Sequence, residues 1–142
     1  MAYQQSSRLA LRSSMVFLWL TSVLSVALSF HLESALHPLL QDYLQVEYAS
    51  ATTRRDETLD YVGGATATLF LIASIGIFFY KTWAKLPFII TAVVGYLVTP
   101  FYGPFVETGL VVTLDHLSVM CEGAAIALIL FTDVLQKEKA LI

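Results

Sequence analysis

The chain has 142 residues, 57% of them hydrophobic and only 13% charged, with a formal net charge of -3 and a mean hydropathy of +0.72. That balance lies outside the range of soluble globular domains and marks a membrane protein. The eight basic residues sit beside apolar segments instead of forming a patch, so no nucleic-acid partner is expected, and Cys121, the single cysteine, excludes an intrachain disulfide and a cysteine-based zinc motif.

About 20 apolar residues cross a hydrocarbon core, and four runs meet that rule. The first covers residues 13–30. Arg8 and Arg12 before it, with the small residues Ala27 and Ser29, also resemble a signal peptide. Its flanks and length favour an uncleaved anchor, because removal would leave three spans with the termini on opposite sides.

Residues 31–60 form the one sizeable loop. In it Leu39, Leu40, Tyr43, Leu44 and Val46 recur at mostly helical spacing, so 38–48 are expected to form a short amphipathic helix. It would lie on the membrane, cap the bundle or receive a partner. Residues 49–60 are polar without an apolar period and are expected to be loop.

The second and third runs, 61–80 and 86–102, are separated by KTWAK, and Pro87 suits the first turn of a new helix. Pro100, Gly103 and Pro104 then turn the chain into the fourth run, 108–132. Gly64 with Thr68, Gly95 with Thr99 and Gly123 with Ala127 are small-residue pairs expected to serve internal helix packing. Trp19, Trp83, Tyr61, Tyr80 and Tyr102 supply aromatic rings suited to membrane interfaces.

The expected architecture is all-α: one integral membrane domain spanning 1–142, a four-helix bundle in up-down-up-down order with an extracytoplasmic amphipathic helix between spans 1 and 2. Arg8, Arg12, Lys81, Lys85, Lys137 and Lys139 fall on one side, and only Arg54 and Arg55 on the other. The positive-inside rule then places both termini in the cytoplasm of a bacterial-type plasma membrane.

The fourth run alone carries acids in its interior. At about 100° per residue, Asp115 and Glu122 share a helix face about 10 Å apart along the axis; Ser118 falls on the same side, and Asp133 returns to it about 16 Å further on. His116 lies about a quarter turn away. No Lys or Arg within the spans neutralises these acids. Each must therefore be protonated, hydrogen-bonded to neutral groups, reached by water or paired with a ligand cation. Depth-matched neutral partners are Ser22 and Ser25 on the first span, Thr66 and Thr68 on the second, and Tyr96 and Thr99 on the third. A polar pocket in the outer half of the bundle is expected.

Function is drawn in three ways. The first is an accessory or interaction subunit of a membrane assembly, with lipid, further copies or other membrane subunits as partners. The second binds or translocates a small cation, an amine or protons, with Glu122 as central acid and Asp115 as outer relay; the binding set is Asp115, Glu122, His116, Tyr96, Thr99, Ser118 and Ser25. The third is an acid–base enzyme on a lipophilic substrate, using Asp115, His116, Glu122 and Tyr96, for which no diagnostic spacing exists. Metal or haem ligation would draw on His31, His37 and His116, scattered without an HxxxH or ExxH pattern, so no cofactor is expected.

Overall fold

The computed structural model describes residues 2–32, 37–42, 46, 54–102, 107–132, 134 and 135, and all their regular structure is helical. Four helices carry the fold: α1 (Ala2–Leu32), α2 (Arg54–Phe78), α3 (Lys85–Val98) and α4 (Gly109–Phe131). With their flanking turns, Gln5–Leu32, Glu57–Phe78, Thr82–Tyr102 and Gly109–Phe131 are each long and apolar enough to cross a bilayer.

Two helices begin earlier than their apolar runs. In α1 the polar stretch ahead of the run is helical from Ala2, and at the start of the run Ser13 and Ser14 bond back to the Ala10 carbonyl at 2.9 and 3.0 Å. The expected loop over 49–60 is corrected over 54–60, which form the start of α2. An acid such as Glu57 near a helix N-terminus is favoured by the helix dipole, a signal independent of apolar period. Residues 38–42 and Val46 of the amphipathic segment are helical, opened by Leu40 and Gln41 N–H donating to the His37 carbonyl; the rest of that segment lies outside the described residues.

Pro87 sits in the first turn of α3, where a missing N–H costs no hydrogen bond. At the other end Pro100 stops the α-helix, and the chain tightens into a 3-10 turn over Thr99–Tyr102. The turn out of α2 has a Schellman pattern: Lys81 N–H donates to Gly76 O at 2.9 Å and Tyr80 N–H to Ile77 O at 2.9 Å. Its left-handed position, φ 55°, holds Tyr80 in place of the usual glycine. The tyrosine makes use of that position. Its hydroxyl donates to Arg8 O at 3.0 Å, and the Arg12 and Arg8 guanidinium carbons lie 4.8 and 5.4 Å from its ring centroid.

α1 lies along α4, and α2 along α3. Within the first pair, contacts link Arg8 to Val134, Ser22 to Ser118 and Ser25 to Asp115, so the two helices run in opposite directions. The second pair is joined where Phe70 stacks on Phe88, with centroids 5.1 Å apart, and where Tyr102 donates to Leu59 O at 2.7 Å. The pairs meet chiefly at the end that carries the N-terminus. There Trp19 donates to Ser74 Oγ at 3.1 Å and packs on Phe78, so this ring belongs to the core and not to an interface.

The buried cluster is concentrated at that same end: Leu11, Met15, Leu18, Ala73, Ile77, Ala84, Phe88, Ala125 and Ile129, with Val134 and Leu135 closing it. Cys121 packs against its edge. Close backbone approach occurs at Gly76, where an added Cβ would lie 2.5 Å from Ala84 Cβ, and at Gly63, where it would collide with the Tyr102 hydroxyl. The small-residue expectation is corrected here. A Cβ on Gly64, Gly95 or Gly123 would meet nothing within 4 Å, so these glycines do not draw neighbouring helices together. A four-residue spacing marks a narrow stripe without saying whether a helix faces it.

Candidate functional site

An open cavity of about 500 Å³ lies between α2, α3 and α4, extending from Phe70 and Glu122 to Tyr102 and Asp115. Its polar wall is α4, where Asp115, Ser118 and Glu122 line it together, as their shared helix face requires. α3 contributes Tyr96 and, beyond its end, Thr99; α2 contributes Thr66 and Phe70. Among the described residues no Lys or Arg lines the cavity.

Glu122 sits deepest in the protein of these acids, only 9% exposed. Its Oε2 accepts a hydrogen bond from the Tyr96 hydroxyl at 3.0 Å. Its Oε1 is buried and has no partner. Removing a polar atom from water without replacing its hydrogen bond is costly, so this oxygen marks either a destabilising defect or a place for a donor. Tyr96 is half exposed on the rim, which lets one hydroxyl hold the carboxylate while the ring remains part of the cavity wall.

Asp115 is held differently. Ser25, buried on α1, donates to Asp115 Oδ1 at 2.5 Å, and one turn along the same interface Ser22 and Ser118 share a hydrogen bond of 2.8 Å. These contacts fasten α1 to α4 on the side of α4 that borders the cavity. Glu107, just outside the fourth span, approaches Asp115 as well. Its carboxyl is pushed above its ordinary range, first by partial desolvation and then by the Asp115 charge and a hydrogen bond to it.

Several expected members lie elsewhere. His116 is exposed, and its Nδ1 is 2.7 Å from Val112 O on its own helix. Of the acid–base set, Asp115, Glu122 and Tyr96 line the cavity together and His116 does not. Thr68 is exposed and donates to Gly64 O at 2.8 Å, leaving Thr66 as the threonine of α2 on the cavity. His31 and His37 are exposed, with His37 Nδ1 accepting from Leu39 N–H at 3.3 Å. Among the described residues no three His, Cys, Asp or Glu side chains gather as metal ligands. Asp133, expected at the far end of the acid stripe, lies outside the described residues.

Sequence reasoning missed Phe70, Tyr102 and Glu107. The first two are apolar or aromatic positions in or beside predicted spans, indistinguishable by composition from lipid-facing ones. Glu107 precedes α4, so no helical period relates it to Asp115, and only the folded chain brings the two acids together.

Comparison of the chain with protein-family models, curated proteins and solved structures finds no match. Functional assignment rests on the cavity itself. Chemically it offers one carboxylate with a buried, unpartnered oxygen, a second carboxylate engaged by a serine, and an open wall of mixed hydroxyl and apolar side chains.

Proposed function

We propose that the protein is a multi-pass membrane protein that binds a small cation in the cavity between α2, α3 and α4, with Glu122 as the binding carboxylate and Asp115 as a second acid nearer the mouth. In this reading the four spans form an up-down-up-down bundle in a bacterial-type plasma membrane. Both termini face the cytoplasm, the arrangement favoured by the distribution of basic residues. The observation that carries it is the buried Glu122 Oε1, without a hydrogen-bond partner, in a residue that lines the cavity. A donor cation satisfies that oxygen and neutralises a carboxylate that, among the described residues, has no basic residue beside it on the cavity wall.

The test is protection of Glu122 from a lipophilic carbodiimide, read by mass spectrometry on the protein in lipid nanodiscs. A panel of monovalent cations, from ammonium to larger alkylammonium ions, is expected to slow labelling at Glu122 in proportion to occupancy. Labelling indifferent to every member of the panel would overturn the reading.

A second reading, an accessory subunit of a membrane assembly or a homo-oligomer, is favoured by the outer face of α4. Gly123, Ala124 and Ala127 are exposed there, and a Cβ on Gly123 would meet open space. Such a surface suits close approach by a helix of another chain. The two readings are compatible, because that face is not the one that lines the cavity.

A further inference from the structure

Resting on the cation-binding reading, we infer that the ligand is a lipophilic ammonium ion: one cationic N–H head on the Glu122 carboxylate, which turns its buried Oε1 to the cavity on binding, and an apolar body laid along Phe70, Val98 and Val119. Three classes of cation fit Glu122 in principle, and the cavity discriminates among them. A bare metal ion needs a shell of oxygens, six to eight for calcium and about six for magnesium. Glu122 offers one free carboxylate oxygen, beside a hydroxyl already donated to its partner oxygen, and no three metal-ligating side chains gather among the described residues.

A proton alone would satisfy Glu122 but leaves the rest of the site without a purpose. A cavity of about 500 Å³ falls in the range of roughly 300 to 1,000 Å³ occupied by drug-sized organic molecules, whose sites are mostly apolar with a few placed polar groups. That is the composition here. Ala67, Phe70, Ala92, Val98 and Val119 supply apolar surface, the carboxyls sit on the α4 wall, and Thr66, Thr91, Tyr96 and Thr99 add hydroxyls from α2 and α3. The rings of Phe70, Tyr96 and Tyr102 add electron-rich faces suited to an organic cation.

The second acid sets polarity rather than a second binding head. Each acid has one oxygen engaged, Asp115 by Ser25 and Glu122 by Tyr96, but Glu122 is the buried one and its second oxygen is left without a partner. The ammonium group therefore seats at Glu122, and Asp115 on the cavity wall, with Glu107 beside it, makes the approach favourable to positive charge. A lipophilic amine concentrates in the bilayer beside such an open cavity, and a linear polyamine, with charge along its whole length, would have to desolvate extra ammonium groups against the apolar wall.

Gly95 makes the inference separable from the acid. It lines the cavity, and a Cβ built there meets nothing within 4 Å, so a larger side chain enters the empty volume and not a neighbouring helix. The experiment uses the full chain in nanodiscs and measures binding calorimetrically for phenethylamine, methylammonium, 2-phenylethanol and spermidine. Phenethylamine is expected to bind at least tenfold more tightly than the other three. E122Q and G95L are each expected to weaken it at least tenfold, and G95L to keep the wild-type unfolding temperature without ligand. If E122Q fails to fold, G95L alone decides between occupancy of the cavity and partition into lipid. Equal binding of methylammonium and phenethylamine, sensitive to E122Q and insensitive to G95L, would overturn the lipophilic ligand while leaving cation binding standing. Tighter binding of spermidine or of the neutral alcohol would overturn it too. No binding by any cation would remove both readings together.

Discussion

Tyr96 and Glu122 are joined by a hydrogen bond of 3.0 Å that connects α3 to α4 across the cavity. It fixes one carboxylate oxygen and leaves its twin unpartnered. Replacing Tyr96 with Phe is expected to destabilise the protein by about 1 kcal/mol, the low end of the effect because the tyrosine is half exposed. The Y96F/E122Q double variant should lose less than the sum of the two single changes, and thermal unfolding of the four proteins measures that coupling.

Ser25 is a stronger case, being almost fully buried with its hydroxyl on Asp115. Ser25→Ala removes the donor from a partly buried carboxylate and is expected to cost about 1 to 3 kcal/mol. Ser22→Ala, at the neutral Ser22–Ser118 bond, should cost about 1 kcal/mol or less. Equal losses in unfolding free energy would show that Asp115 draws no special support from α1.

Tyr80 holds a left-handed backbone that glycine would adopt freely, and removal of that strain is worth about 1 kcal/mol. Tyr80→Gly nevertheless is expected to destabilise, because it deletes the Arg8 carbonyl hydrogen bond and the ring beneath two guanidinium groups. Tyr80→Phe keeps the ring and should be the milder change. A more stable glycine variant would refute the anchoring role of the ring.

Glu107 gives a pH dependence with a definite sign. Its folded pKa is raised from the ordinary 4.5, so the folded protein holds this proton more tightly than the unfolded chain does. The resulting stabilisation is full below pH 4.5 and is lost as pH rises through the folded value. Unfolding temperatures from pH 4 to pH 7 should therefore fall less steeply in Glu107→Gln than in the wild type.

The two kinds of glycine make opposite forecasts. Gly76→Ala places a Cβ 2.5 Å from Ala84 and is expected to cost about 1 to 3 kcal/mol through overpacking. Gly123→Leu meets no atom within 4 Å of its new Cβ and should leave the isolated chain as stable as before. If the accessory-subunit reading holds, the same change shifts the assembly towards monomer in size-exclusion light scattering.

Hydropathy located all four long helices because twenty apolar residues in sequence are a local property. The face shared by Asp115, Ser118 and Glu122 was legible for the same reason, since helical period alone puts them together. Partners across helices depend on relative rotation, which no single segment contains. Depth matching could nominate Ser22, Ser25, Tyr96 and both Thr66 and Thr68; only the packed helices turn Thr66 to the cavity and Thr68 away. The same ignorance of rotation attached close packing to Gly64, Gly95 and Gly123, whereas Gly63 and Gly76 carry it.

The concentration of the core at one end divides the chain into regions of unequal cohesion. Local opening follows the sparsest apolar contact, so amide exchange should run faster around the cavity than beside Leu11, Phe88 and Ile129. An occupant bridging α2, α3 and α4 would act as a clamp, transmitting its presence as slower breathing around the cavity while the end that holds the buried cluster stays as it is.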